Sequence, residues 1–152
     1  MNETIGEGEV MMQDKRVLPL IKKAELKVGK TANQILSPYG LTYTQLKILM
    51  SLYDNPNGSM RQVDLEKAFS LTNPTVTGIL DNLEKKNLVC RVHNSQDKRS
   101  KRVALTVLAL RQKEDLYALA GEIERQLTAP LSEDEQFVLA HLLAKLLGEQ
   151  ET

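Results

Sequence analysis

The stretch from Arg61 to Lys101 constrains this chain more than any other. It holds two short helix patterns, a tight turn between them, and two strand patterns joined by a basic turn. In Arg61–Phe69 the residues Val63, Leu65, Ala68 and Phe69 gather mostly on one side, and Ser70-Leu71 breaks the pattern. Thr72-Asn73-Pro74-Thr75 reads as a helix start. Thr72 supplies a cap, and Pro74 falls in the first turn, where its missing N–H does no harm. Val76, Ile79, Leu80 and Leu83 then form a helical apolar stripe. Asn73, Thr75, Thr77, Gly78, Asn82 and Lys85 are left facing outward. Leu88–Val92 and Arg102–Thr106 read as short strands around the turn from Asn94 to Lys101. The sum is helix, turn, helix and a two-stranded wing.

Charge agrees with that outline. From Arg61 to Arg102 there are nine Lys or Arg and five Asp or Glu, in a chain with twenty of each and a formal net charge of zero. Positive charge is concentrated where a phosphate backbone would be met. A helix with small polar residues at its N-terminus can reach base edges in a major groove. Double-stranded DNA is therefore the expected partner. The competing account is a winged-helix protein-interaction module without DNA binding, with the basic turn simply solvated.

The 152 residues suffice for one domain with a real core. There is no Trp and only two Phe, so the core must rest on Leu, Ile, Val and Ala, which favours helices. No apolar run reaches the ~18 residues needed to span a bilayer. The acidic, polar N-terminus does not read as a signal peptide, and a cytoplasmic protein is expected. A single cysteine, Cys90, excludes an internal disulfide and any multi-cysteine metal site. It reads as a plain structural thiol. His93 and His141 are far apart in sequence, and neither has Asp, Glu or Cys at ligand spacing in a convincing cluster. No metal, cofactor or catalytic constellation is expected: there is no Gly-rich phosphate loop and no Ser/His/acid motif.

The rest of the chain is helical in pattern. Residues 17–36 carry Leu18, Ile21, Leu26, Val28, Ala32, Ile35 and Leu36 among lysines, and this helix should stop near Ser37-Pro38-Tyr39-Gly40. Thr42 with Gln45 three residues on reads as a capping box. Asn55-Pro56-Asn57-Gly58 is a turn, and Ser59-Met60 is placed to add a short edge strand to the wing. Thr106 caps a long helix, with a bend or close packing expected at Gly121. Ser132 with Glu135 opens the last helix, which Gly148 closes. Its stripe of Phe137, Val138, Leu139, Leu142, Leu143, Leu146 and Leu147 demands burial, and a second copy of the chain, met through the first and last helices, is the expected cover.

Taken in order, these segments resemble the MarR family of bacterial transcription regulators. The resemblance rests on Leu41-Thr42-Tyr43-Thr44-Gln45, Thr75-Val76-Thr77, Leu83–Arg91, and above all Asp97-Lys98-Arg99-Ser100 ahead of Val103-Ala104-Leu105-Thr106. It covers roughly residues 15 to 147. It implies a mainly α fold, a winged helix-turn-helix with a small β wing inside a triangular helical dimer. Residues 1–152 would be one domain, with 17–36 and 107–147 as dimerisation helices and 41–106 as the DNA-binding unit. It implies a sequence-specific regulator, by family habit a repressor, bound as a homodimer to a pseudo-palindromic operator.

The family pattern puts a wing-tip arginine in the minor groove, held by a neighbouring aspartate; Arg99 and Asp97 match those positions. Lys98, Lys101, Arg102 and Arg91 follow as phosphate contacts, and Asn73, Thr75 and Thr77 as base or phosphate readers, with cap support by Asn73 and purely helix-stabilising hydroxyls at Thr75 and Thr77 as the competing account. A small aromatic or phenolic effector near Tyr39 and Tyr43 is also implied, with plain packing as the competing account. Three departures stand out. Asn87 replaces a usual Gly, Gly78 replaces a larger and often basic residue, and Leu108-Ala109-Leu110 replaces a Gly-containing helix start.

Overall fold

The computed structural model describes residues 16–93 and 101–149, without the His93 side chain. Helix α1 (Val17–Leu36) runs into a 3-10 turn (Ser37–Tyr39) that Gly40 ends in the left-handed conformation. Helix α2 (Tyr43–Asp54) starts on the expected capping box. The Gln45 N–H donates to Thr42 Oγ1 at 3.2 Å, and the Thr42 N–H donates to Gln45 Oε1 at 3.1 Å. The Tyr43 N–H donates to Asn33 Oδ1 at 2.8 Å, which ties the start of α2 back to α1.

Strand β1 (Ser59–Arg61), α3 (Gln62–Phe69), α4 (Asn73–Lys85), β2 (Val89–His93) and β3 (Lys101–Leu105) make the winged unit. The wing holds three strands in antiparallel order β1-β3-β2, with Met60 and Arg91 each opposite Val103. The edge strand expected at Ser59-Met60 is thus β1. The core is aliphatic, as the aromatic-poor composition requires. Ile48, Leu49, Leu52, Leu65, Val76, Leu80, Leu83 and Val103 are all fully buried.

Two expectations in this unit need correcting. Val63 and Ala68 do not face inward: both are exposed, Val63 at 40%, and the buried side of α3 is Gln62 and Leu65. Thr72 precedes α4 as expected, but its side chain accepts nothing from the helix backbone; it bonds Thr75 Oγ1 at 2.8 Å instead.

The two helix exits of the unit are left-handed at non-glycine residues. Asn87 takes φ 58° after α4, and the Leu88 N–H reaches Leu83 O at 3.0 Å, so Asn does the work of the absent Gly. Ser70 takes φ 51° after α3, with the Leu71 N–H on Glu66 O at 2.9 Å. A β-carbon is disfavoured there. Ser70→Gly is therefore expected to stabilise the protein by about 0.5–1 kcal/mol in urea denaturation, after the added freedom of the unfolded chain is counted. A Ser70→Gly protein with a lower urea midpoint would contradict this.

After the wing, Thr106 caps as expected, accepting from the Ala109 N–H at 3.1 Å. The long helix is nonetheless in two pieces, α5 (Val107–Arg111) and α6 (Lys113–Thr128). The interruption is at Gln112, and α6 runs unbroken through Gly121, so the bend expected at Gly121 lies nine residues earlier. Its cause is a side chain in the helix ladder. The Tyr53 hydroxyl donates to Ala109 O, the carbonyl that a continuous helix would offer to the Lys113 N–H, and the Gln112 N–H takes the same carbonyl at 3.2 Å.

Helix α7 (Glu133–Leu147) opens on the Ser132/Glu135 capping box and ends at Gly148, φ 76°. None of its residues is buried within the chain, and Phe137, Leu142, Leu146 and Leu147 are exposed, as are Val17, Leu18, Leu20 and Leu26 of α1. Among the described residues no helix is long and apolar enough to cross a membrane.

Candidate nucleic-acid interface

The outward side of α4 is built from small polar residues because Val76, Leu80 and Leu83 turn the opposite side into the core. Asn73 and Thr75 are exposed in its first turn. Asn73 Nδ2 donates to Glu66 Oε2 at 3.3 Å across the turn from α3. Thr77, one turn on, is half-buried. Its hydroxyl oxygen accepts from Gln62 Nε2 at 2.9 Å. Gly78 beside it is open: a β-carbon there would meet nothing of the chain within 4 Å.

Strand β2 packs against α4, and β3 is the middle strand of the wing beyond it. Lys101 is exposed on β3, opposite His93. Arg102 sits on the outer face of the sheet opposite Arg61 and donates to Ser59 Oγ at 3.1 Å. Arg61 makes a two-pronged bond to Asp64, at 2.9 and 3.0 Å. That contact holds the Asp64 carboxyl below its usual range, so Asp64 stays ionised and offsets the charge of Arg61.

The expected contact residues do not share one role. Arg91 turns inward. It pairs with Asp81 at 2.7 Å and donates to the Thr77 carbonyl at 3.1 Å, both on α4. Strand alternation is the reason: Val89 is buried and Cys90 exposed, so Arg91 returns to the helix side. It braces the wing against α4 where an outward phosphate contact was expected. Asp97, Lys98 and Arg99 lie outside the described residues. Cys90, read from sequence as a structural thiol, is an exposed free thiol on β2.

The residue that sequence reasoning missed is Gln62, 4% exposed and aimed at Thr77. The signal was available in the i, i+3 spacing of Gln62 and Leu65, but the nearby apolar Val63 masked it. Lys86 is a second such residue. Its ammonium donates to Gly40 O and to Gln45 Oε1, the latter at 3.2 Å, so it fastens the end of α4 to the junction of α1 and α2.

Tyr39 and Tyr43 do not share a pocket. Tyr39 lines a cavity of about 630 Å³ with Leu41, Lys86, Leu108, Gln112 and Asp115. Tyr43 lines another of about 460 Å³ with Met50, Phe69, Ile123 and Glu124. Lys47 Nζ lies 4.8 Å from the Tyr43 ring centre. Burial first, and Glu124 second, push the Tyr43 phenol above its usual value. Among the described residues no group of three or more His, Cys, Asp or Glu is placed to hold a metal.

A helix-turn-helix braced on a three-stranded wing, with a polar helix face and flanking cations, defines a winged-helix DNA-binding protein. Comparison with known proteins narrows the class. The MarR family description matches residues 41–101. The chain is 33% identical over 129 residues to the multiple antibiotic resistance protein MarR of Escherichia coli, covering 84% of this chain and 88% of that protein. A mutant of the same Escherichia coli protein, complexed with operator DNA, superposes with a TM-score of 0.73 at 33% identity, over 85% of this chain and 91% of the other. The S. aureus MepR–DNA complex gives 0.75 at 30% identity, over 90% and 100%. The chain belongs to the MarR family and is a winged-helix transcription regulator.

Proposed function

We propose that the protein is a homodimeric repressor that binds a pseudo-palindromic operator, one winged unit to each half-site. The observation that carries this is the exposed polar first turn of α4, Asn73 and Thr75, in a winged unit whose strand β3 carries the cations Lys101 and Arg102. The operator-DNA and DNA complexes of the MarR and MepR relatives support the reading. The apolar faces of α1 and α7 supply the dimer surface. Asn73, Thr75 and Thr77 read the DNA, Lys98, Lys101 and Arg102 meet phosphates, and Arg99, held by Asp97, enters the minor groove. No catalytic step is part of this function, and its place is the cytoplasm. A small aromatic effector fits the Tyr39 cavity, whose volume lies in the usual ligand range and whose wall includes Lys86 of the α4 anchor.

The test is selection of DNA from random sequence by the purified protein, followed by footprinting and a salt series. Two recognition helices about one helical turn apart, ~34 Å, give a two-fold site near ~20 base pairs. Affinity should fall steeply with salt. Arg99→Ala should lower the salt slope by up to ~2 per dimer. Asp97→Ala should weaken binding although it removes a negative charge. A selection that returns only an asymmetric half-site argues against the dimeric operator. Failure of the folded dimer to bind any DNA favours the protein-interaction module instead.

A further inference from the structure

Thr77 is held from two sides. Gln62 Nε2, on the first residue of α3, donates to its hydroxyl oxygen at 2.9 Å. Arg91 Nη2, on β2, donates to its carbonyl at 3.1 Å and is itself fixed by Asp81 at 2.7 Å. No other residue of α4 receives such bonds from both neighbouring elements among the described contacts. Gln62 is nearly fully buried, a position where an amide needs a partner. A threonine hydroxyl has one proton to give and two lone pairs. With a Gln62 N–H on one lone pair, that proton cannot go to Gln62. It is left for the helix's own backbone or for an acceptor outside. The open notch at Gly78, next to Thr77, gives an outside partner room to approach.

We propose that Gln62 and Arg91 are positioning residues that present Thr77 as a donor to an acceptor on a DNA base edge, and so set specificity at one base position in each half-site. Major-groove acceptors of this kind are the N7 and O6 of guanine, the N7 of adenine and the O4 of thymine. The inference rests on the DNA-binding function proposed above. Arg91 fixes where the backbone of Thr77 lies, and Gln62 fixes which way its hydroxyl can donate. Neither needs to touch DNA.

The experiment compares Gln62→Ala, Gln62→Glu, Arg91→Ala, Thr77→Val, Thr77→Ser and the double variant Gln62→Ala/Thr77→Val. Each is checked for fold and dimer first by circular dichroism and sedimentation. Affinity is then measured on the selected site and on sites altered one position at a time. Thr77→Val should weaken the selected site about three- to tenfold, the worth of one hydrogen bond, and flatten the preference at a single position per half-site. Thr77→Ser should keep that preference. Gln62→Ala and Arg91→Ala should flatten the same position. In the Thr77→Val background Gln62→Ala should change affinity by less than about twofold, because its route to the DNA is gone.

Gln62→Glu is the sharpest arm. A carboxylate only accepts, so it draws the Thr77 proton inward and should flatten that position as Thr77→Val does. A Gln62→Glu protein with wild-type preference overturns the proposal. So do equal effects of Gln62→Ala with and without Thr77, or a Thr77→Val loss spread evenly over all sequences. In each of those cases the wild-type protein still binds its selected site. Absence of wild-type binding would instead remove the function beneath the inference.

Discussion

A protein carrying Leu142→Glu and Leu146→Glu is expected to sediment as a monomer and to lose operator binding. Helix α7 buries none of its own residues, while Leu142 and Leu146 are 54% and 61% exposed in the middle of its stripe. Phe137, Val138, Leu139, Leu143 and Leu147 extend that face, and the start of α1 offers Val17, Leu18 and Leu20. So much contiguous apolar surface marks an association site. Its burial is worth about 25 cal/mol for each Å² removed from water. Two carboxylates per chain in the centre of that contact would have to be desolvated without partners. The outward side chains of α7 make no core contacts, so the winged unit should stay folded. Loss of the dimer then makes the two half-sites independent, and affinity for the full operator should fall by about 10²–10⁴-fold. Sedimentation and operator titration check this together. An intact dimer with unchanged operator affinity would remove α7 from the interface.

The second large effect is expected from Leu80→Ala. Leu80 is fully buried on the inner side of α4, in the cluster with Val76, Leu83 and Leu65. Truncation leaves a cavity as well as losing transfer energy, a cost of about 2–5 kcal/mol. Against a total stability of about 5–15 kcal/mol, that is a large share. The urea midpoint should fall with little change in slope, measured at fixed protein concentration because a dimer's stability depends on it. DNA binding should weaken further than folding alone explains, since Leu80 sets the seat of the helix that carries Asn73, Thr75 and Thr77. A loss below about 1 kcal/mol would mean that α4 is seated by other contacts.

The element boundaries were legible in the sequence because local chemistry determines them. The Thr42/Gln45 and Ser132/Glu135 capping boxes and the stop at Gly148 involve groups within a few residues of one another. The stripe Val76, Leu80, Leu83 gave the inner face of α4 by periodicity alone, and the greasy α7 announced surface that one chain does not cover. What only the tertiary structure decided involves partners far apart in the chain. Tyr53 takes the carbonyl of Ala109, fifty-six residues away, so the helix breaks at Gln112 and not at Gly121. Arg91 looks like a free cation until strand alternation aims it at Asp81 and Thr77. Gln62 reads as a surface residue until Thr77, fifteen residues later, closes over it. Tyr39 and Tyr43 are neighbours in sequence, yet the capped start of α2 lies between them and sends them to different cavities. Periodicity states which side of an element is apolar. It does not state which polar group another element brings to meet it, because that depends on how the elements pack.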